Sequence, residues 1–293
     1  MQKMEKTILY GNGVNLLGGG LSWDEILLRI SKKETLPQIQ SNTLKYEYII
    51  LPQKESITKT LKFGNSPSPL MYNGKILLNR TNTEEKLKKS LCAELVKRGS
   101  SYYYDNLAEL DADNYITTNY ELFLPQKFGI SLQSSETDLI YKHLCLDKDG
   151  QHKTFWNIHG DTSSPKDIIL GLSDYCKYVA KINGYLGGLN KKTVPCWIDL
   201  LFNTDVHILG LGMGYEEVDL WNVLTTRKRN KRSNSGNCKN RIYYYVIRDK
   251  SYDSGKMELL KALDVNVVDV EFDNSDKAYI NAYENIFKLI KNA

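Results

Sequence analysis

Thr7-Ile8-Leu9-Tyr10-Gly11-Asn12-Gly13 is the stretch that decides the fold of this 293-residue chain. A short apolar run breaks at a glycine, and a helix is predicted from Ser22, a good cap ahead of Trp23, Ile26, Leu27 and Ile30. Strand, glycine turn and helix together form the opening unit of a parallel α/β sheet. The same alternation returns from Tyr115 onward. Strands are predicted at Tyr115 to Thr118, Thr154 to Ile158, Ile168 to Leu170, Val206 to Leu211, Ile242 to Arg248 and Val265 to Phe272, mostly unbroken runs rich in β-branched and aromatic residues, as strands buried on both faces require. Helices are predicted between them at Ser173 to Leu186, Cys196 to Phe202, Glu216 to Lys228 and Gly255 to Leu263. A last helix, Lys277 to Ile290, carries Ala278, Ala282, Ile286 and Leu289 at helical spacing. The expected fold is one α/β domain over residues 1–293, doubly wound and Rossmann-like, with a mostly parallel sheet. The pattern lapses over residues 34–80, read as a small inserted subdomain with strands at Leu44 to Leu51 and Leu70 to Leu78, the latter around the hairpin signal Asn73-Gly74. A helical segment, 81–110, flanks it, with a helix from Thr81 to Gly99.

Composition narrows the class. With 41% hydrophobic residues the chain can bury a large core. No run approaches the roughly 18 apolar residues of a membrane span, and Met1 to Lys6 runs into the first strand without a signal-peptide core, so a cytoplasmic protein with no membrane contact is expected. The five cysteines (Cys92, Cys145, Cys176, Cys196, Cys238) are scattered without a Cys-x-x-Cys pair and read as buried free thiols, neither zinc ribbon nor disulfide framework. The net charge of +4 is unevenly placed. Arg227, Lys228, Arg229, Lys231, Arg232, Lys239 and Arg241 fall in an acid-free run with Ser, Asn and Gly, expected to be a mobile solvated loop able to make weak contact with nucleic acid through 227–241.

Candidate site residues lie where predicted strands end. Gly11, Asn12 and Gly13 follow the first strand. Glycines there let a backbone approach a pyrophosphate, although a tight strand-to-helix turn needs them equally. Thr118 and Asn119 follow the second core strand, and an Asn amide can hold a ribose hydroxyl and a water at once, or simply cap a helix. His159 ends another strand beside Gly160, where a neutral imidazole can accept a proton or serve a structural role. Gly210, Gly212 and Gly214 flank a later strand end and are suited to line the second half of a cofactor crevice. Asp174 is explained by the helix dipole, and Asp249 reads as a surface-loop residue.

Taken in order, Tyr10-Gly11-Asn12-Gly13-Val14-Asn15, Thr117-Thr118-Asn119-Tyr120-Glu121, Ile158-His159-Gly160, Leu170-Gly171-Leu172-Ser173-Asp174-Tyr175 and Leu209-Gly210-Leu211-Gly212-Met213-Gly214 followed by Asp219 resemble the sirtuin superfamily. The resemblance is specifically to the sirtuin-like NAD-cleaving domains of bacterial anti-phage defence systems. It implies that the first turn, Gly11 and Gly13, binds NAD phosphates, that Asn119 orients the ribose or the attacking water, and that His159 is the general base. The zinc module of sirtuin deacylases, two close cysteine pairs, is absent from the sequence, and the first turn departs from their Gly-Ala-Gly pattern, with Asn12 or Asn15 as substitutes for a lost contact.

The activity so implied is hydrolysis of NAD to nicotinamide and ADP-ribose, without a metal, by an abortive-infection effector. Such an enzyme needs restraint. Because the chain ends at Ala293 just after the final core helix, control is expected from homo-oligomer assembly or from a partner: a HerA-like ATPase, an Argonaute-like protein or a nucleotide-processing protein. Two further readings stay open: a non-catalytic sensor of NAD or an ADP-ribose derivative, and a zinc-free deacylase or ADP-ribosyltransferase.

Overall fold

In the computed structural model the described residues are 4–51, 84–97, 102–130, 139–148, 150–188, 194–232, 238–249, 251–273, 275 and 277–293. Seven strands form one sheet in the order β3-β4-β2-β1-β5-β6-β7. They are β1 (Lys6–Tyr10), β2 (Asn114–Thr117), β3 (Leu144–Lys148), β4 (Gln151–Asn157), β5 (Asp205–Leu209), β6 (Ile242–Ile247) and β7 (Asn266–Val270). All neighbours are parallel except β3 with β4. From β1 the chain builds outward through β2 and β4, then returns to the other side of β1 for β5, β6 and β7. The topological switch point therefore lies between the carboxyl ends of β1 and β5, the place where open α/β sheets bind ligands.

Period-two alternation in the strands produces the two covered faces. Leu9, Ile116, Trp156 and Ile208 point to one core with Tyr178, Ile182, Trp197, Leu201, Val223 and Leu260. The helices that supply it are Leu172–Gly187, Trp197–Asn203, Val218–Arg232 and Ser254–Ala262. Ile8, Tyr10, Tyr115 and Phe155 point the other way, against Tyr104, Leu107, Leu124, Ile286 and Ile290. There the covering helices are Tyr103–Ala108, Phe123–Lys127 and Ala278–Lys291. The doubly wound α/β fold expected from the sequence is the fold observed.

Three local expectations are corrected. Leu44 to Leu51 is not a strand: Asn42–Ile50 is a helix capped by Ser41, whose Oγ accepts the Leu44 amide at 3.2 Å. Leu44, Tyr46, Tyr48 and Ile50 alternate like a strand, but Leu44 and Tyr48 are exposed and the buried positions are Thr43, Lys45, Tyr46 and Ile50, of which Thr43, Tyr46 and Ile50 are spaced as on one helix face. This helix packs with Trp23–Ser31 and the helix 84–96 in a third cluster of Ile26, Leu27, Ile30, Tyr46, Ile50, Leu91 and Leu95. Helix Trp23–Ser31 begins, as expected, at Ser22 in a capping box with Glu25. Ile168 to Leu170 is buried but joins no ladder. It follows a 3-10 turn at Pro165–Asp167 and bridges two cores, Ile169 in the first and Ile168 and Leu170 in the third. The basic run is also corrected. Its first part continues the helix Val218–Arg232, and Arg227 is fully buried.

Strand β3 was not anticipated, although the Asp149-Gly150 dipeptide before β4 is a hairpin signal, with Gly150 at φ 78°. The predicted strand Leu70 to Leu78 lies outside the described residues. Cys92, Cys196 and Cys238 are buried free thiols, but Cys145 and Cys176 are exposed. No helix among the described residues is long and apolar enough to cross a membrane.

Candidate functional site

At the switch point two strand exits touch through backbone alone. The Gly11 amide donates to Leu209 O at 3.2 Å and the Gly13 amide to Gly210 O at 2.8 Å. A Cβ on Gly11 would lie 2.7 Å from Gly210 O, and one on Gly13 would lie 2.7 Å from Gly210 Cα. Gly210 itself sits at φ 63°, where a side chain is strained. These three glycines are thus required by the crossing itself, and the amides of Gly11 and Gly13 are already bonded to carbonyls. Gly212 differs. A Cβ there would meet nothing, and its carbonyl accepts from Lys256 Nζ at 2.9 Å.

Asn12 and Asn15 face inward to a polar network. Asn12 Nδ2 donates to Leu21 O at 3.2 Å, and Asn12 Oδ1 accepts from Asn15 Nδ2 at 2.9 Å. Asn15 also donates to the buried Glu121 and accepts from the Tyr104 hydroxyl at 2.8 Å. Burial, with Glu121 behind it, pushes the Tyr104 phenol well above its usual pKa.

β2 and β4 are register partners with Thr117 opposite Asn157, so Asn119 and His159 leave the sheet two residues beyond a paired position, on neighbouring strands. Stitching between the exits is dense. The Ile158 amide donates to Thr117 O at 3.0 Å, and Asn157 Nδ2 donates to Asn119 O at 2.9 Å and Glu121 O at 3.1 Å. Thr117 Oγ1 receives the Asn119 amide at 3.0 Å, which fixes that residue's backbone. Asn119 is 3% exposed. Its side-chain amide interacts with the Tyr104 hydroxyl, yet Nδ2 finds no acceptor of hydrogen-bond geometry among the described residues. Thr118 is half-buried at the same exit.

His159 is 3% exposed and pairs through Nε2 with Asp219 Oδ2 at 2.7 Å. Asp219 stands fully buried in the first turn of helix Val218–Arg232, and its Oδ1 has no partner among the described residues. Tyr175 and Tyr178, from helix Leu172–Gly187, meet the imidazole edge-on with centroids at 5.3 and 6.3 Å. The His159 carbonyl is held by the Ile169 amide at 2.8 Å. Burial alone would pull the imidazole pKa down, but the charge and hydrogen bond of Asp219, with Glu217 behind, outweigh it and set it above the usual 6.5. Glu217 Oε2 is sequestered without a partner among the described residues, and burial pushes that carboxyl up to about 8. Glu216 Oε1 caps the inserted helix at the Asn42 amide, 3.2 Å away, tying the helical cluster to the site's rim.

Asn119 and His159 are therefore brought to adjacent strand exits, with Gly11 and Gly13 one strand beyond that of Asn119 and Gly210 two strands beyond it. Asp174 is tied down by Lys88 Nζ at 2.7 Å, and Asp249 closes a local turn on the Ser251 amide at 2.8 Å. Asp219 and Glu217 were missed as site residues. Their sequence signal is two acids at the start of a helix, which the dipole explains equally well. Among the described residues no group of three or more His, Cys, Asp and Glu side chains forms a metal site.

Comparison with known proteins agrees with this geometry. The SIR2-like domain family model matches residues 113–268, from the approach to β2 through most of β7, spanning Asn119, His159 and Asp219. No curated protein matches the chain. With more than half of its length matched, and with its two polar strand exits inside the match, the chain belongs to the SIR2-like domain family, whose membership implies an NAD-related function.

Proposed function

We propose that this protein hydrolyses NAD to nicotinamide and ADP-ribose. One observation carries the reading: a buried donor with no acceptor in hydrogen-bond geometry among the described residues, Asn119 Nδ2, stands on the strand exit next to a buried imidazole with an acid partner. A buried polar atom without a partner costs free energy unless a ligand supplies one, and a ribose hydroxyl or a water fits that position. Nicotinamide leaves NAD as a neutral molecule with the glycosidic electron pair, so C1′ of the ribose needs only a positioned water and a proton acceptor. Asn119 holds the water or the ribose, and His159 takes the proton as the water oxygen bonds to C1′. The proton then passes to solvent. Nothing in this chemistry calls for a metal. Gly11, Asn12, Gly13, Thr118, Gly210 and Gly212 would line the dinucleotide cleft, Gly11, Gly13 and Gly210 through the shape of the crossing and Gly212 through its open face.

We place the activity in anti-phage defence on the strength of the sequence resemblance. Release by a partner protein or by self-assembly follows from the toxicity of an unrestrained hydrolase. The inserted helix Asn42–Ile50, and the exposed Arg229 and Lys239 for a nucleic-acid contact, are the surfaces nominated for such control.

The test is nicotinamide release by the purified protein, alone and with candidate partners, beside Asn119→Ala and His159→Ala. Each substitution is expected to lower turnover at least ~100-fold, as loss of a positioned acid–base group does. Full turnover by His159→Ala would sink the assignment of the base. NAD binding without release under every condition, indifferent to that substitution, would make the protein a sensor.

A further inference from the structure

We infer that Asp219 is a positioning residue that locks His159 as the Nε2–H tautomer and so hands the Nδ1 lone pair to the reacting water. The inference rests on the reading of His159 as proton acceptor, but its evidence is separate. A carboxylate only accepts, so the 2.7 Å contact at Asp219 Oδ2 requires the proton on Nε2. No other hydrogen bond to the imidazole is found among the described residues, which leaves Nδ1 with a free lone pair. The ring cannot readily turn over, because Tyr175 and Tyr178 stand edge-on against it. The backbone on either side is fixed as well, by Ile158 N to Thr117 O and by Ile169 N to His159 O.

The cost of this arrangement argues for its use. Asp219 is fully buried with Oδ1 unpartnered among the described residues, an arrangement that a purely structural role would replace at lower cost with an apolar side chain. The other groups facing the imidazole divide by element. Glu217 comes from the turn ahead of helix Val218–Arg232, and Glu216 and Lys256 are close enough to act on Glu217 in turn. Tyr175 and Tyr178 come from helix Leu172–Gly187, and burial holds the Tyr175 phenol well above its usual pKa, so that it stays protonated near neutrality. Among the described residues Asp219 alone makes a hydrogen bond to a ring nitrogen. It sits 60 residues further along the chain, and so only the fold brings the pair together.

Two measurements test this. In nitrogen-15 NMR of histidine-labelled protein, with His159→Ala to assign the signal, His159 should show the Nε2–H tautomer near neutral pH. It should also titrate above the usual histidine range. In Asp219→Asn the tautomer should become mixed, because an amide can either accept from or donate to Nε2, and the titration should move down as burial prevails. The hydrolysis profile should move with it. The rate rises as His159 loses its proton, so the acidic limb shifts to lower pH, while the plateau falls by ~1,000-fold or more, as in other buried His–carboxylate pairs. A wild-type Nδ1–H tautomer overturns the inference, and this readout needs no activity and no variant at Asp219. An Asp219→Asn protein with unchanged titration and limb overturns it too. If the wild type hydrolyses no NAD while the tautomer is as stated, the pairing stands and the assignment of hydrolysis is what fails.

Discussion

At the scale of single residues the site concentrates unpaired polarity. Asn119 Nδ2, Asp219 Oδ1, Glu216 Oε2 and Glu217 Oε2 are all sequestered without partners among the described residues, whereas Asn15, Glu121 and Tyr104 nearby are bonded to one another. Glu217 gives this a thermodynamic signature. Burial, aided by Asp219 and Glu216 and opposed by His159 and Lys256, lifts its carboxyl from the usual 4.5 to about 8. Between those values the folded protein keeps a proton that the unfolded chain releases, so stability falls as pH rises through that window. Glu217→Gln removes the penalty. Its melting temperature should match wild type near pH 4.5, exceed it increasingly up to pH 8, and hold a constant advantage above that. Parallel melting curves across the range would show that Glu217 is ionised and paired in the folded state.

Elements explain which parts of the site could be read in advance. β1, β2, β4 and β5 are inner strands of the sheet whose last four residues are all buried, which leaves a polar residue just beyond an exit conspicuous, so the positions of Asn119 and His159 were legible. Asp219 was not, because its partner lies 60 residues away and one acid in a helix's first turn has a local explanation. Helix Asn42–Ile50 was misread because Leu44, Tyr46, Tyr48 and Ile50 mimic period two while the buried face follows Thr43, Tyr46 and Ile50. The basic run misled in a third way, since composition reports charge but not which charge the core consumes. Arg227 donates to Asn240 O at 2.8 Å, and Asn240 in turn binds Leu201 O and Thr204 O. Lys231 pairs with Asp264 at 2.6 Å. Arg227→Ala should therefore cost about 3 kcal/mol in denaturant unfolding, by stranding buried acceptors and opening a cavity. Arg229→Ala, on the exposed side of the same helix, should stay within about 0.5 kcal/mol of wild type. Equal, small effects of both would mean that Arg227 is a surface residue available to phosphates after all.

At the scale of the whole molecule, the exits of four adjacent strands and the inserted helical cluster converge on one end of the sheet. A dinucleotide lying across that end would touch both halves of the fold at once. The glycine crossing couples β1 to β5, the Asn157 bonds couple β2 to β4, and Glu216 couples the helix Asn42–Ile50 to the rim. Occupancy would fill the orphaned positions and oppose separation of any of these parts. Its consequence is measurable in His159→Ala protein, where the proposed base is gone and NAD should persist during the scan. A ligand that binds only the folded state at 100 times its dissociation constant adds about 2.7 kcal/mol. For a chain of this size that is a rise of roughly 5 °C in melting temperature. Adding Asn119→Ala should remove most of the rise, because the donor proposed to hold the ribose or its water is lost, while free ADP-ribose should retain part of it. No rise with NAD at millimolar concentration, in a protein that melts cooperatively, would mean that this end of the sheet does not bind the dinucleotide unaided. Restoration of the rise by a partner protein would then locate the control step at binding, ahead of any proton transfer to His159.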